Sequence, residues 1–372
     1  MELCFIEDTH LFGGTQIWVT EAVCYFLSHG DRVSVLAPKS SRVVRECSKT
    51  AASLVTYDWE CAGEQDTQMV NTWVDALSSA DVAVCTVHPP RNGFHASIFA
   101  ARCIKDGGLN THLVTKSGTV VPEYKREFYI PDQSIAGSVI AIADFTRRYL
   151  IDHYDIPSHK ATLIYQGTDT ARFNPTLVDR NTVPLDYQLP DAVSPVLGCI
   201  GSFEKRKGQI VLLEALSLLV AGPLPDIHLM LVGEGPDEAQ LKRQVQRLGL
   251  EGCASFHPFT PTPELIYPNL DITVLPSLSK EGLPNVLLES LAMQVPVVAS
   301  QLGGVSEAVI DGQTGYAVTP GDHEELVHAI VRLWTDQRTY QRMRGRGRKL
   351  VVEKYNKEKQ FERFRNLFRA LR

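Results

Sequence analysis

The chain has 372 residues, more than one hydrophobic core usually serves, so two domains are expected. Apolar residues make up 44% and charged residues 22%, the balance of a soluble globular protein, and no apolar run approaches the length of a membrane span. The net charge of −6 conceals a basic end: residues 338–372 carry 13 Lys and Arg against 3 acids, a local +10 that leaves −16 for the rest, a poor balance for a general nucleic-acid binder.

The first residues, MELCFIEDTHLFGG, lack a basic n-region, which sets aside a signal peptide and favours a cytosolic protein. Short β-branched, apolar runs then alternate with helical stretches. Strands are expected at LCFI (3–6), RVSVLA (32–37), DVAVCTV (81–87), HLVT (112–115), VIAIA (139–143) and ATLIY (161–165). Helices fit at 15–29, 68–79, 94–105 and 145–154, the last with Asp144 as N-cap. Runs apolar on both faces, alternating with helices, call for a parallel sheet covered on both sides. Eight cysteines are scattered without a CxxC pair and read as small buried apolar residues in a reducing compartment.

Residues 165–195 are rich in Pro, Asp and Thr and poor in pattern, so 166–194 reads as a linker between an N-terminal domain (1–165) and a C-terminal one (195–354). The alternation then resumes, with strands at 195–201, 227–233, 253–259, 271–276, 295–300 and 315–318 and helices at 208–221, 236–248, 284–294 and 322–334. Two Rossmann-like domains in tandem are expected, with ligands beyond the carboxyl ends of the strands.

EGLPNVLLESLAMQVPVVAS (281–300) carries the most chemistry. Glu281 and Glu289 stand eight apart after a buried strand and a short turn, with Gly282 in the loop and Pro284 suited to the first helical position. A helix start offers free N–H groups and partial positive charge to a phosphate, while carboxylates suit the hydroxyls at a ligand's ends. Glu281 at the loop mouth and Glu289 two turns on would bracket a diphosphate with a sugar on each side, the shape of a nucleotide sugar.

This segment resembles the signature of retaining glycosyltransferases of the GT-B fold, the family-4 or group 1 type, and the likeness runs on through GGVSEAVIDGQTGYAV (303–318). The resemblance implies two Rossmann-like domains with parallel sheets facing across a cleft and transfer of a sugar from a nucleotide diphosphate, with a UDP-sugar the expected donor. The acceptor is a hydroxyl of a glycan, lipid or small molecule, and neither metal nor cofactor is required. It gives Glu281 the transferred sugar and Glu289 the ribose, with Leu283, Asn285 and Val286 beside the donor. In IGSFEKRKG (200–208), Arg206 and Lys207 are expected at the diphosphate; relatives often hold a further basic residue where this chain has Ser202. LVGEGP (231–236) brings Gly233 and Gly235 to the nucleotide, and SFHPF (255–259) flanks the base through its backbone, with the His257 side chain read as structural.

In the N-terminal domain, Gly13 and Gly14 match the glycine loop that relatives turn towards the donor phosphates. Many relatives place a His-Gly pair after the fourth strand; here HLVT runs into Lys116, a sugar or phosphate contact but a poor base. Lys116 therefore joins Glu281, Lys207 and Arg206 as a catalytic candidate, and His10 and His88 stand as acceptor contacts. FERFRNLFRALR (361–372) spaces Phe361, Phe364, Phe368 and Leu371 as one helical face, read as a final helix (355–372) docked on the N-terminal domain. Peripheral contact of this basic end with an anionic membrane is the sharper reading. Rival functions are a nucleotide-sugar epimerase on the same fold and a non-catalytic nucleotide-sugar-binding subunit.

Overall fold

The computed structural model describes residues 1–10, 13–58, 67–87, 95–118, 125–189 and 193–372; His88 and Cys61 lie outside them. The chain forms two compact units, Met1–Tyr165 with Lys359–Arg372, and Gln166–Glu358. Each holds a parallel sheet with helices on both faces, as the alternating pattern requires. No described helix is long and apolar enough to cross a membrane.

The first unit runs β1 (Glu2–Ile6), α1 (Gly14–Ser28), β2 (Arg32–Pro38), α2 (Arg42–Cys47), β3 (Ser53–Tyr57), α3 (Thr67–Ser78), β4 (Val82–Val87), α4 (Ala96–Asp106), β5 (His112–Ser117), α5 (Arg126–Tyr129), β6 (Gly137–Ala141), α6 (Asp144–Tyr154) and β7 (Ala161–Leu163). Its sheet order is β3-β2-β1-β4-β5-β6-β7, with every pair parallel. β4, VAVCTV, is buried at all six positions because both faces are covered. One face packs Trp18, Val19, Val23 and Phe26 of α1; the other packs Trp73 of α3 with Phe99 and Ile104 of α4. Asp144 is the first residue of α6, not its cap, which is Ala143; its carboxylate pairs with Arg148 one turn on.

The second unit runs β8 (Val196–Ile200), α7 (Gln209–Ala221), β9 (His228–Val232), α8 (Glu238–Leu248), β10 (Ala254–His257), β11 (Ile272–Leu275), α9 (Asn285–Ala292), β12 (Val297–Ser300), β13 (Gly315–Val318), α10 (His323–Thr335) and α11 (Gln337–Lys354). The sheet order is β10-β9-β8-β11-β12-β13, again all parallel. Residues 166–189 pack on this unit: Phe173 and Tyr187 are buried, and the Arg348 guanidinium donates to the carbonyls of Phe173 (2.8 Å) and Ala292 (2.6 Å). Pro284 is the N-cap of α9, one residue before the helix proper.

α12 (Lys357–Ala370) begins in the second unit and belongs to the first from Lys359 on. Phe361, Phe364 and Phe368 are buried against α1, the Trp18 ring centroid lying 5.0 Å from that of Phe364 and the Phe26 centroid 5.6 Å from that of Phe368. Arg365 donates to Asp31 at 3.1 Å, whose carboxylate also takes the Met1 amino group. Five of the seven described cysteines are buried and none is bonded to another, but Cys24 is exposed on α1, against the expectation of burial.

Candidate active site in the second unit

In the second sheet the connection reverses direction between β8 and β11, the neighbours at its centre, and an open α/β sheet forms its ligand crevice beyond the carboxyl ends of such a pair. The two loops leaving that crevice are residues 201–208 after β8 and 276–284 after β11. They are tied together by backbone, since the Leu278 N–H donates to the Arg206 carbonyl at 2.7 Å. Gly208 makes this approach possible: its φ is +69°, and a Cβ there would lie 2.0 Å from the Pro276 carbonyl oxygen.

Lys205–Lys207 form a single 3-10 turn between the two loops' contacts. The Lys207 ammonium meets Glu281 Oε1 at 2.6 Å, and the Arg206 guanidinium lies 3.9 Å from the same oxygen while its Nε donates to Glu204 at 2.8 Å. Glu281 is only 7% exposed at its side chain, so its charge is held by Lys207 and by the Ser277 hydroxyl, which donates to Oε1 at 2.6 Å. Behind it, Gly303 (φ +55°) packs so closely that a Cβ would sit 1.9 Å from the Glu281 carbonyl oxygen, and the Gly304 N–H donates to the Gly282 carbonyl. The segment 303–318 thus backs the loop that presents Glu281.

α9 starts at Asn285, whose side-chain oxygen accepts a 2.9 Å bond from Gln166. Leu283 is buried and Val286 half-buried, so Leu283 offers the site only its backbone. Glu289 is half-buried in the second turn, where the Tyr267 hydroxyl reaches its Oε2 at 3.2 Å and the Val286 carbonyl at 3.3 Å. Burial, with the Glu289 carboxylate beside it, pushes the Tyr267 hydroxyl well above its usual pKa, so it remains a donor.

Ser202 is half-buried and its carbonyl accepts from Gln209 at 2.9 Å. Gly233 and Gly235 pass close against the backbone of Gly201 and Phe203, and Gly233 with Phe256, His257 and Pro258 borders a cavity of ≈ 290 Å³ at the ends of β9 and β10. Both His257 ring nitrogens are engaged, by the Asp186 carbonyl (2.7 Å) and the Ser255 hydroxyl (2.8 Å). Burial lowers its pKa, and its side chain ties residues 185–187 to the sheet. Among the described residues no cluster of His, Cys, Asp or Glu is arranged to hold a metal ion.

The remaining candidates lie in the first unit. Gly13 caps α1, and its N–H is taken by Gln16 Oε1 at 3.0 Å; Gly14 is the first helical residue. Gln16 in turn donates to Glu7 at 3.2 Å. β5 runs on to Ser117, so Lys116 lies within the strand and not after it, fully buried with its ammonium 4.3 Å from the Trp18 ring centroid. Burial pulls its pKa down to about 7, with the Glu7 carboxylate acting the other way. The strand's end is Ser117-Gly118, and Gly118 packs beside Thr15 at the start of α1. His10 is half-buried, its Nδ1 3.1 Å from the Ser40 hydroxyl.

Sequence reasoning named both carboxylates and both cations but missed the residues that hold them. Ser277 sits in the turn that precedes Glu281, and Tyr267 lies 22 residues before Glu289, beyond any local spacing rule.

Residues 188–350 match the family model described as glycosyl transferases group 1. A GDP-mannose-dependent alpha-(1-6)-phosphatidylinositol monomannoside mannosyltransferase of Mycolicibacterium smegmatis is 32% identical over 228 residues, 59% of each chain. The lipopolysaccharide core biosynthesis glycosyltransferase LpsE of Rhizobium meliloti is 32% identical over 45% of this chain and 47% of its own, so this chain matches about half the length of these relatives. A phosphatidyl-myo-inositol mannosyltransferase of M. smegmatis is 27% identical over 87% of this chain and 82% of its own. In fold, the chain is similar to Anabaena HepE in complex with UDP, with a TM-score of 0.84 and 19% identity over the full length of both.

Proposed function

We propose that the chain, whose residues 188–350 match the family model of glycosyl transferases group 1, is a retaining glycosyltransferase using a nucleoside-diphosphate sugar. The observation that carries the reading is the juxtaposition at the β8/β11 crevice. Lys207 and Glu281 meet at 2.6 Å, and Glu289 follows in the second turn of the adjoining helix. A cation, a sugar-binding carboxylate and a ribose-binding carboxylate are what a sugar diphosphate needs along its length.

In this reading Lys207 and Arg206 hold the diphosphate, and their contribution grows as the bond from sugar C1 to the phosphate oxygen breaks and charge collects on that oxygen. Glu281 accepts hydrogen bonds from hydroxyls of the transferred sugar, and Glu289 from the ribose. The nucleobase enters the cavity beside Gly233 and Pro258. The acceptor hydroxyl attacks C1 from the face the phosphate leaves, the new C1–O bond forms there, and its proton passes to the departing phosphate oxygen. The configuration at C1 is thereby kept, and no separate enzyme base is needed, because the departing phosphate oxygen takes the proton.

The names of similar proteins point to two bases, since HepE was crystallised with UDP and the M. smegmatis relative is named for GDP-mannose. The test is nucleoside-diphosphate release from a panel of UDP- and GDP-sugars with simple glycoside and lipid acceptors. Acceptor-dependent release from one base class is expected, with anomeric retention read by proton NMR. Release with inversion, or no binding of any nucleotide sugar in a thermal-shift screen, would end the reading; a ligand at a hundred times its Kd stabilises by roughly 2.7 kcal/mol, enough to see.

A further inference from the structure

Glu281 Oε1 is the meeting point of two donors at the same distance, the Lys207 ammonium and the Ser277 hydroxyl, each at 2.6 Å. They differ in every other respect. Lys207 is a long side chain, 20% exposed, on a turn that opens towards the crevice. Ser277 is 2% exposed and sits in a backbone fixed on both sides, with the Pro276 carbonyl packed on Gly208 and the Leu278 N–H bonded to the Arg206 carbonyl. Its hydroxyl has one proton to give, and it gives it to Glu281.

We infer that Ser277 is a positioning residue for sugar transfer, holding Glu281 in place while Lys207 exchanges that carboxylate for the donor diphosphate. The inference rests on the transferase reading above. A diphosphate brings at least two negative charges to the cation that meets Glu281, and in this proposal Lys207 turns its donors from the carboxylate towards the phosphates as they bind. A carboxylate in so closed a space, stripped of its cation and left with no donor, would carry the full cost of a buried unpaired charge. Ser277 remains on Oε1 throughout, which directs Oε2 to the hydroxyls of the transferred sugar; among the described residues both donors to this carboxylate, Lys207 and Ser277, meet Oε1. The alternation lets one pair of charges serve the resting and the reacting enzyme without leaving either unpaired.

The experiment compares Ser277→Ala, Ser277→Cys and the unaltered chain for turnover, donor KM and affinity for the bare nucleoside diphosphate. Ser277→Ala should lower turnover roughly 10- to 100-fold, the range for losing one hydrogen bond to a charged group, with donor KM and nucleoside-diphosphate Kd within about threefold. Ser277→Cys, of similar size and with a weak S–H donor, should fall between the two. Melting temperatures identify any variant whose fold is damaged, and the cysteine variant keeps the test decisive if the alanine one is. Unchanged turnover in Ser277→Ala, or a parallel loss of nucleoside-diphosphate affinity, would overturn the inference while leaving the transferase reading intact. Failure of the unaltered chain to bind any nucleotide sugar would overturn both.

Discussion

Tyr267→Phe removes one hydroxyl from a fully buried ring and leaves its packing, so it isolates what that hydroxyl does for Glu289. The bond is shared with the Val286 carbonyl and is long at 3.2 Å, so a weakening of donor binding of about fivefold, with turnover nearly unchanged, is expected by calorimetry. On the proposed function, Glu289→Gln should act in the same way and more strongly, because a ribose contact is made equally in ground and transition states. Lys207→Ala should, on the same reading, do the reverse, costing on the order of 100-fold in turnover, since a leaving diphosphate gains charge only as the bond breaks. A Lys207→Ala enzyme with normal turnover would place the phosphate elsewhere. Lys116 offers a test of another kind. Its pKa falls to about 7 on folding because burial penalises the ammonium, against 10.5 in the open chain. The folded state therefore holds fewer protons than the unfolded one between pH 7 and 10.5, and this group's contribution to stability rises with pH across that window. Denaturation midpoints of the unaltered chain relative to Lys116→Met should climb from pH 6.5 to pH 9; parallel curves would show that the ammonium is not desolvated. The E-x7-E spacing was legible because it is local, one loop and two helical turns. Lys116 was read as following the strand, but β5 continues through it to Ser117, so the pleat and not a loop sets which way its side chain faces.

Helix α12 shows what an amphipathic stripe settles and what it leaves open. The spacing of Phe361, Phe364 and Phe368 gave a helix with one apolar face, and that face is equally suited to a protein groove or a lipid surface. The structure fills it with Trp18, Tyr25 and Phe26 of α1. Phe364→Ala should therefore destabilise the first unit by about 3–5 kcal/mol, read from denaturant midpoints, and removing residues 361–372 should expose the α1 face and cause aggregation. A shortened chain that stays soluble and melts unchanged would mean that α12 is not part of the core. The elements that escaped the sequence share a physical cause. β3 (SLVTY) is an edge strand with one buried position of five, so its pattern is weak. α11 (QRTYQRMRGRGRKLVVEK) has seven cations and two glycines in 18 residues, and only Thr339, Tyr340, Met343, Gly347 and Val351 turn inward. Gly347 is there because a Cβ would lie 2.9 Å from Leu291 of α9, a packing reason that reads in sequence as a helix breaker.

For the molecule as a whole, the separation of charge outlasts the loss of its apolar anchor. With the phenylalanines of α12 buried, any attraction of the basic end to a membrane is electrostatic alone. On α11 the exposed cations Arg338, Arg342, Arg346 and Lys349 recur at intervals of four, four and three, one face of the helix, with Glu353 beside the last. Each contributes about 1 kcal/mol near an anionic surface, so the four together would give weak adsorption and no insertion. The acidic remainder of the chain, at −16, opposes even that. The chain should co-sediment with phosphatidylserine vesicles at about 10 mM salt, where screening extends ~30 Å, and release near 150 mM, where it falls to ~8 Å. Replacing the four cations by glutamine should abolish the low-salt binding without changing the melting temperature, because none of them is buried. Binding that persists at high salt, or that survives the four substitutions, would mean that another surface of the protein meets the lipid.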